Sequence, residues 1–272
     1  MTKTVFPRLH AILARDSPGA LVIRRGPSRL TAVIGWDRAA DTFQIGQWFK
    51  GKLYPYRSDI SPDGKHWIYF AMSARQARTW TVAAKVPYLK ALDFYEKHDA
   101  WNGGGLFLSN KKYWLNETRE FPHVYPEAGS LEMTTAIDGE HPGQGEDPPV
   151  YFRRLLRDGW SLTNQVFERQ HDKSFFDKPI NGNMFLEKIF HGTLNRPLGK
   201  SPYYEEHRIM NKETGETRNF PDWEWADVDG DRLVWAEHGT IMAGRAGPGG
   251  ILEPSLLFDT NPLVFSEIKA PY

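Results

Sequence analysis

Short apolar runs entered through tight-turn signals dominate the chain, and helical periodicity is sparse. Ser61-Pro62-Asp63-Gly64-Lys65 leads into Trp67-Ile68-Tyr69-Phe70-Ala71, and Asp229-Gly230-Asp231-Arg232 leads into Leu233-Val234-Trp235-Ala236. Uninterrupted apolar runs of this length predict strands buried on both faces. Asp supplies a local side-chain hydrogen bond and Gly the positive φ that such turns require. Weaker copies are Ser17-Pro18-Gly19 before Ala20-Leu21-Val22-Ile23, Asn110-Lys111-Lys112 before Tyr113-Trp114-Leu115, and Asp158-Gly159 before Trp160-Ser161-Leu162. The first four turns fall at intervals of roughly 45 to 48 residues, within the range of propeller-blade repeats. The last comes late, which predicts an insertion somewhere in 164–204.

Other segments fit the same plan. Residues 30–36 and 42–46 read as a hairpin around Asp37-Arg38-Ala39-Ala40-Asp41, and a polar hairpin is expected around Asn211-Lys212-Glu213-Thr214-Gly215. Residues 88–97 suit a short helix after Pro87 or a strand with alternating apolar positions, and the pattern leaves both open. Residues 136–149 carry Gly, Pro, Asp, Glu and Gln with little apolar content, and are expected to form a mobile loop within one domain. The expected fold is therefore all-β: a single propeller-like domain of about five blades over residues 1–272, with an irregular sandwich or barrel as the alternative.

The turn-plus-strand unit built on Ser61-Pro62-Asp63-Gly64-Lys65 resembles the repeat of TolB-like, WD40-like and prolyl-oligopeptidase-type β-propellers. With Ile23-Arg24-Arg25-Gly26-Pro27-Ser28, Gln47-Trp48-Phe49-Lys50-Gly51 and Trp101-Asn102-Gly103-Gly104-Gly105 added, the whole chain looks like an uncharacterised family of bacterial proteins with no assigned activity. The resemblance implies a fold and a bacterial origin, and carries over no catalytic residue. The chain has no Gly-x-Ser-x-Gly elbow, so the hydrolase activity that accompanies such propellers in peptidases is not implied.

Composition narrows the chemistry. The 34 basic and 34 acidic side chains cancel, which argues against nucleic acid as a main partner. With no cysteine there is no disulfide, thiolate nucleophile or cysteine-ligated metal. Neither a signal-peptide core in residues 1–18 nor a run of about 18 apolar residues anywhere is present. The expectation is a soluble, cytoplasmic protein with no membrane partner.

The individual motifs are mostly incomplete. Asp227-Val228-Asp229-Gly230-Asp231 opens like a calcium loop, but Arg232 and His238 stand where an EF-hand needs Gly and Glu. Gly103-Gly104-Gly105 lacks a Walker lysine or Rossmann spacing and reads as a tight bend or close packing. Glu187 and His191 would share a face if 184–191 were helical, and His171-Asp172 is adjacent, yet no second histidine follows at zinc spacing. No metal site and no cofactor are expected. Asp59, Asp63, Glu117 and Glu132 are among many carboxylates from which sequence alone selects no acid–base pair.

The candidate binding residues come from two groups. Arg24, Arg25 and Arg29 flank a Gly26-Pro27-Ser28 turn, with Lys50, Lys52 and Arg57 following. Gathered at one end of the fold, these cations would suit an acidic protein partner or a carboxylate ligand. Trp48, Tyr54, Tyr56 and Trp101, with Asn102 beside it, lie near predicted loops, where aromatics anchor interfaces or stack on sugars. The expected function is a non-catalytic binding protein, a protein–protein interaction module of the kind that sequesters a toxin or regulator, as an immunity protein does. The alternative is a carbohydrate-active enzyme, a glycoside hydrolase or lyase, using paired carboxylates in an axial cleft.

Overall fold

The computed structural model describes residues 5–27, 30–73, 78–97, 99–117, 123–126, 131–139, 143–247 and 250–272. Among these the protein is all-β, with five sheets and one helix. Two compact units divide the chain, Met1–Arg154 with Pro262–Tyr272, and Leu155–Asn261.

In the first unit, β1 (Arg8–Leu13), β2 (Gly19–Arg25), β3 (Leu30–Asp37) and β4 (Thr42–Lys50) form an antiparallel meander. A second sheet holds β5 (Lys52–Ile60), β6 (His66–Ser73), β7 (Arg78–Lys85) and β8 (Ala91–Lys97). β9 (Gly105–Phe107) and β10 (Lys112–Leu115) start a third; β11 (His123–Pro126) joins the second sheet beside β8, and β12 (Glu132–Thr134) pairs in parallel with β10. Residues 88–97 thus resolve as strand from Ala91 onward, while Leu263, Val264 and Phe265 form none.

The turn chemistry is as the sequence dictates. Ser61 Oγ donates to Asp63 Oδ1 at 2.6 Å, Asp63 Oδ1 also accepts the Lys65 amide at 3.1 Å, and Gly64 takes φ 74°. The chain therefore re-enters the sheet as β6, whose Trp67, Ile68, Phe70 and Ala71 are fully buried. Trp67 and Tyr69 join Ile12, Leu21, Ile23, Val33, Leu53 and Val82 in one apolar cluster. Their polar tips are satisfied, Trp67 Nε1 donating to Tyr88 O and Tyr69 OH to Leu89 O, each at 2.8 Å.

β5 is an edge strand, yet every residue from Leu53 to Ile60 is buried, because the strand packs against β9 and the first sheet. Its register with β6 breaks between Tyr54 and Asp59. Charges buried on such a strand must be matched. Asp59 Oδ2 accepts the Phe107 amide at 2.7 Å. Arg57 places its guanidinium 4.9 Å from the Tyr54 ring centroid and 4.7 Å from that of Phe70. It donates to Asp147 at 2.5 Å, to Glu146, and to the carbonyls of Ala100 and Asn102 at 2.6 and 2.8 Å.

The packing around Arg57 explains two features of the sequence. The glycines that follow Asn102 allow backbone to lie directly on β5: a Cβ on Gly104 would collide with the Arg57 carbonyl, and one on Gly103 with the Phe70 ring. The polar stretch 136–149 is tied down near its end by Glu146 and Asp147, immediately before the helix α1 (Pro148–Arg157). Residues 140–142 of that stretch lie outside the described residues.

In the second unit, β13 (Ser161–Val166), β14 (His171–Asn181), β15 (Met184–Thr193), β16 (Tyr203–Asn211) and β17 (Thr217–Phe220) form a five-stranded meander. β18 (Trp223–Asp229), β19 (Arg232–Glu237), β20 (Thr240–Gly247) and β21 (Gly250–Asp259) form another of four strands. The region expected to hold an insertion, 164–204, is filled by β14 and β15, two of the longest strands. Residues 184–191 are therefore strand, and Glu187 pairs across to Arg208 rather than with His191. Asp227 and Asp229 of the calcium-like stretch hold Lys178 at 2.7 Å and Arg232 at 2.9 Å.

Candidate functional site

The β1–β2 hairpin places its first residue, Arg8, directly opposite its last, Arg25, and Arg25 in turn faces Thr31 of β3. Next to these ends the chain passes from β4 to β5 through Gly51, whose carbonyl accepts a hydrogen bond from Thr31 Oγ1 at 3.2 Å. A side chain at Gly51 would run into the Phe49 ring and come within 2.8 Å of the Met72 carbonyl, so this step requires glycine. Lys52 then opens β5 opposite Met72 of β6.

Together these strand ends enclose a pocket of about 540 Å³. Arg8, Arg25 and Lys52 give it three cations, and Phe6, Leu30 and Met72 are among its apolar lining. None of its 11 described lining residues is acidic. The Lys52 ammonium lies 4.2 Å from the Tyr54 ring centroid, on the same ring that carries Arg57. Its pKa is lowered, first by the loss of solvent around it and then by Arg25; Asp147 opposes this, Arg57 adds to it, and Glu146 opposes it again. The site is a cluster of positive charge on rigid strand ends with an apolar wall, suited to hold an anion rather than to move a proton.

The structure sorts the candidate binding residues. Arg25 lines the pocket, and Tyr54 lies under Lys52. Arg24, one residue away on the opposite face of β2, is buried; it donates to Gly26 O at 3.0 Å and Leu263 O at 3.5 Å, and lies 5.5 Å from the Trp48 ring centroid. Trp48 is half-buried edge-on against Phe265, 6.2 Å away. Tyr56 is buried with His10 and Tyr151, at 5.3 and 4.6 Å between centroids. Trp101 is 63% exposed, while its neighbour Asn102 takes φ 56° and gives its carbonyl to Arg57. Arg29 lies outside the described residues.

Arg8, Phe6, Leu30 and Met72 were not selected from sequence. For Arg8 a signal exists: counting outward from Asp16 and Ser17 at the middle of the turn in an antiparallel hairpin sets it opposite Arg25. For Phe6, Leu30 and Met72 there is none, since their meeting depends on how separate strands end.

Three of the four carboxylates considered for acid–base chemistry have structural partners. Asp59 holds the Phe107 amide, Asp63 shapes its turn, and Glu117 is paired in the interior with Lys97. Glu132 is exposed on β12.

No protein-family model matches the chain, and no curated protein does. Among solved structures, an uncharacterized protein from Listeria monocytogenes EGD-e is similar over 86% of this chain and 91% of its own, at 7% identity and a TM-score of 0.33. The beta-propeller domain of the Trilobed protease from Pyrococcus furiosus, described as having an open velcro topology, is similar over 98% of this chain and 100% of its own, at 9% identity and a TM-score of 0.25.

Proposed function

We propose that this chain is a non-catalytic binding protein that receives a protein partner on the face around Arg8, Arg25 and Lys52. The observation that supports the reading is the pocket itself, with three cations and no acidic side chain among its described lining residues. A protein of zero formal charge that concentrates cations at one place gains local attraction for an acidic partner, with little long-range pull on anions in general. Because the cations stand at strand ends, little ordering entropy is lost on binding. The same proposal takes the five sheets as blades of one propeller-like domain. It takes the partner to be a toxin or regulator in the bacterial cytoplasm.

The test is capture from lysate of the native host, comparing the wild-type chain with an Arg25→Glu/Lys52→Glu variant and with Lys111→Glu as a control on an exposed turn. One protein species should be retained by the wild type and the control and lost from the double variant. Retention of that species by all three chains would refute the assignment of the face. Retention of a soluble sugar and no protein would favour the carbohydrate-active alternative.

A further inference from the structure

We propose that the second unit carries a docking surface for an anionic lipid bilayer, formed by the β13–β14 loop, residues 167–170, and the β15–β16 loop, residues 194–202. No residue of the face around Arg8, Arg25 and Lys52 takes part.

The strand ends bring the two loops together. Thr193, the last residue of β15, pairs with His171, the first of β14. The Gln170 carbonyl accepts the Leu194 amide at 3.2 Å and Thr193 Oγ1 at 3.0 Å. Within the longer loop the Lys200 amide donates to Pro197 O at 3.0 Å, and at its base the Thr193 amide donates to Pro202 O at 2.9 Å. Three apolar side chains stand out of this framework: Phe167 is 69% exposed, Leu194 82% and Leu198 completely. Each is followed two residues later by an exposed cation, in Phe167-Glu168-Arg169, Leu194-Asn195-Arg196 and Leu198-Gly199-Lys200. Glu168 is the one carboxylate in the two loops, against these three cations, in a chain whose charges otherwise cancel. Asp172 and Lys173 at the start of β14 balance each other.

This alternation matches a bilayer interface, where an apolar side chain enters the acyl boundary while a cation beside it stays with the lipid phosphates. Separate apolar prongs suit a fluid partner. A folded protein would need a matching hollow for each, whereas acyl chains close around all of them. A small soluble anion would meet the cations and leave the prongs in water. Because hydrogen bonds already pin the loops, little freedom is lost on docking. Contact of this kind needs no membrane-crossing segment.

The chain has no cysteine, so one introduced cysteine can be labelled at a chosen point. Leu198→Cys carrying an NBD fluorophore should shift its emission to the blue on vesicles of phosphatidylcholine with about 30 mol% phosphatidylglycerol. The same label on Thr214→Cys, in the turn at the far end of β16, should not shift. Unlabelled wild-type chain should co-sediment with these vesicles, bind pure phosphatidylcholine vesicles about tenfold more weakly, and release as salt is raised. Phe167→Ser/Leu198→Ser should lose about tenfold in binding or more, with unchanged circular dichroism. Arg196→Glu/Lys200→Glu should lose the preference for phosphatidylglycerol. Absence of co-sedimentation, a double-serine variant that binds like wild type, or co-sedimentation with no blue shift at position 198 would each overturn the inference. A blue shift with poly-L-glutamate and none with vesicles would give the loops to an acidic protein and overturn it as well.

Discussion

Arg8 and Arg25 stand directly opposite each other at the open end of the β1–β2 hairpin, two half-buried cations in cross-strand register. Like charges directly opposite on an antiparallel pair repel each other. Arg8→Thr, which keeps a strand-forming residue in place, should therefore stabilise the protein by roughly 0.2–1 kcal/mol. In urea the midpoint should rise with an unchanged slope, and the gain should shrink as salt is added. A variant that is less stable would show that Arg8 is a packing residue.

Arg57 is the opposite case, a cation wholly enclosed and fully matched. Its fork reaches Asp147, Glu146 and two backbone carbonyls, and its flat faces lie near Tyr54 and Phe70. Arg57→Met would leave Asp147, almost as deeply enclosed, without its cation, at a cost of about 3–5 kcal/mol. Arg57→Lys keeps the charge but not the fork, and should recover only a minor part of this. Thermal unfolding of the two variants beside wild type checks both statements. A loss under about 1 kcal/mol in Arg57→Met would mean that the segments carrying Ala100, Asn102 and Asp147 are held by other contacts.

The contrast shows what the chain discloses before folding and what it does not. The turns at 61–65 and 229–232 are legible because Asp and Gly act on their own neighbours, and the strands after them because apolar runs need no distant partner to be recognised. The basic residues Arg24, Arg25, Lys52 and Arg57 are equally visible in sequence, but their fates are not. Alternation along β2 sends Arg24 inward and Arg25 to the pocket, and the broken register of β5 encloses Arg57 while Lys52 stays at the mouth. The helix Pro148–Arg157 does have a local signal: Asp147 before Pro148-Pro149 at its start, and Gly159 with φ 87° after its end. The polar run before it draws the eye away from that signal. For the clamp of Arg57 on Glu146 and Asp147 no local signal exists, because 89 and 90 residues separate the partners.

The segment Pro262–Tyr272 returns to the first unit and runs beside β4. Gln47 Nε2 donates to Ile268 O at 3.0 Å, Phe265 meets Trp48 edge-on, and the Lys50 ammonium lies 5.7 Å from the Phe265 ring centroid. Tyr272 OH accepts the Lys85 amide at 3.1 Å and donates to Lys90 O at 2.7 Å. β4 is an edge strand, and these contacts set the segment against its Gln47, Trp48 and Lys50 side chains. Phe265→Ala should speed amide exchange in residues 42–50 and leave that of β19 unchanged, as read by hydrogen-exchange mass spectrometry. Unaltered exchange in 42–50 would mean that Gln47 and Tyr272 hold the segment without the ring.

In the second unit the histidines set an acid limit on stability. His191 is buried on β15, stacked on Tyr204 at 4.4 Å, with its Nδ1 2.8 Å from His171 Nε2; burial brings its pKa down to about 4 against the pull of Glu206. Burial, followed by Lys188, also pushes His207 well below the ordinary histidine value. Both are therefore neutral in the folded chain while the unfolded chain takes up protons below its ordinary value near 6.5. Where the unfolded state binds more protons, stability rises with pH, so it must fall as pH drops from about 6.5 toward 4. Each histidine contributes a slope of at most about 1.4 kcal/mol per pH unit. Between pH 6.5 and 5, mostly above the carboxylate range, urea midpoints should decline in the wild type and decline less in His191→Gln and in His207→Gln. A wild-type midpoint that stays flat over that window would mean that these imidazoles take up protons in the folded protein as readily as in the unfolded one.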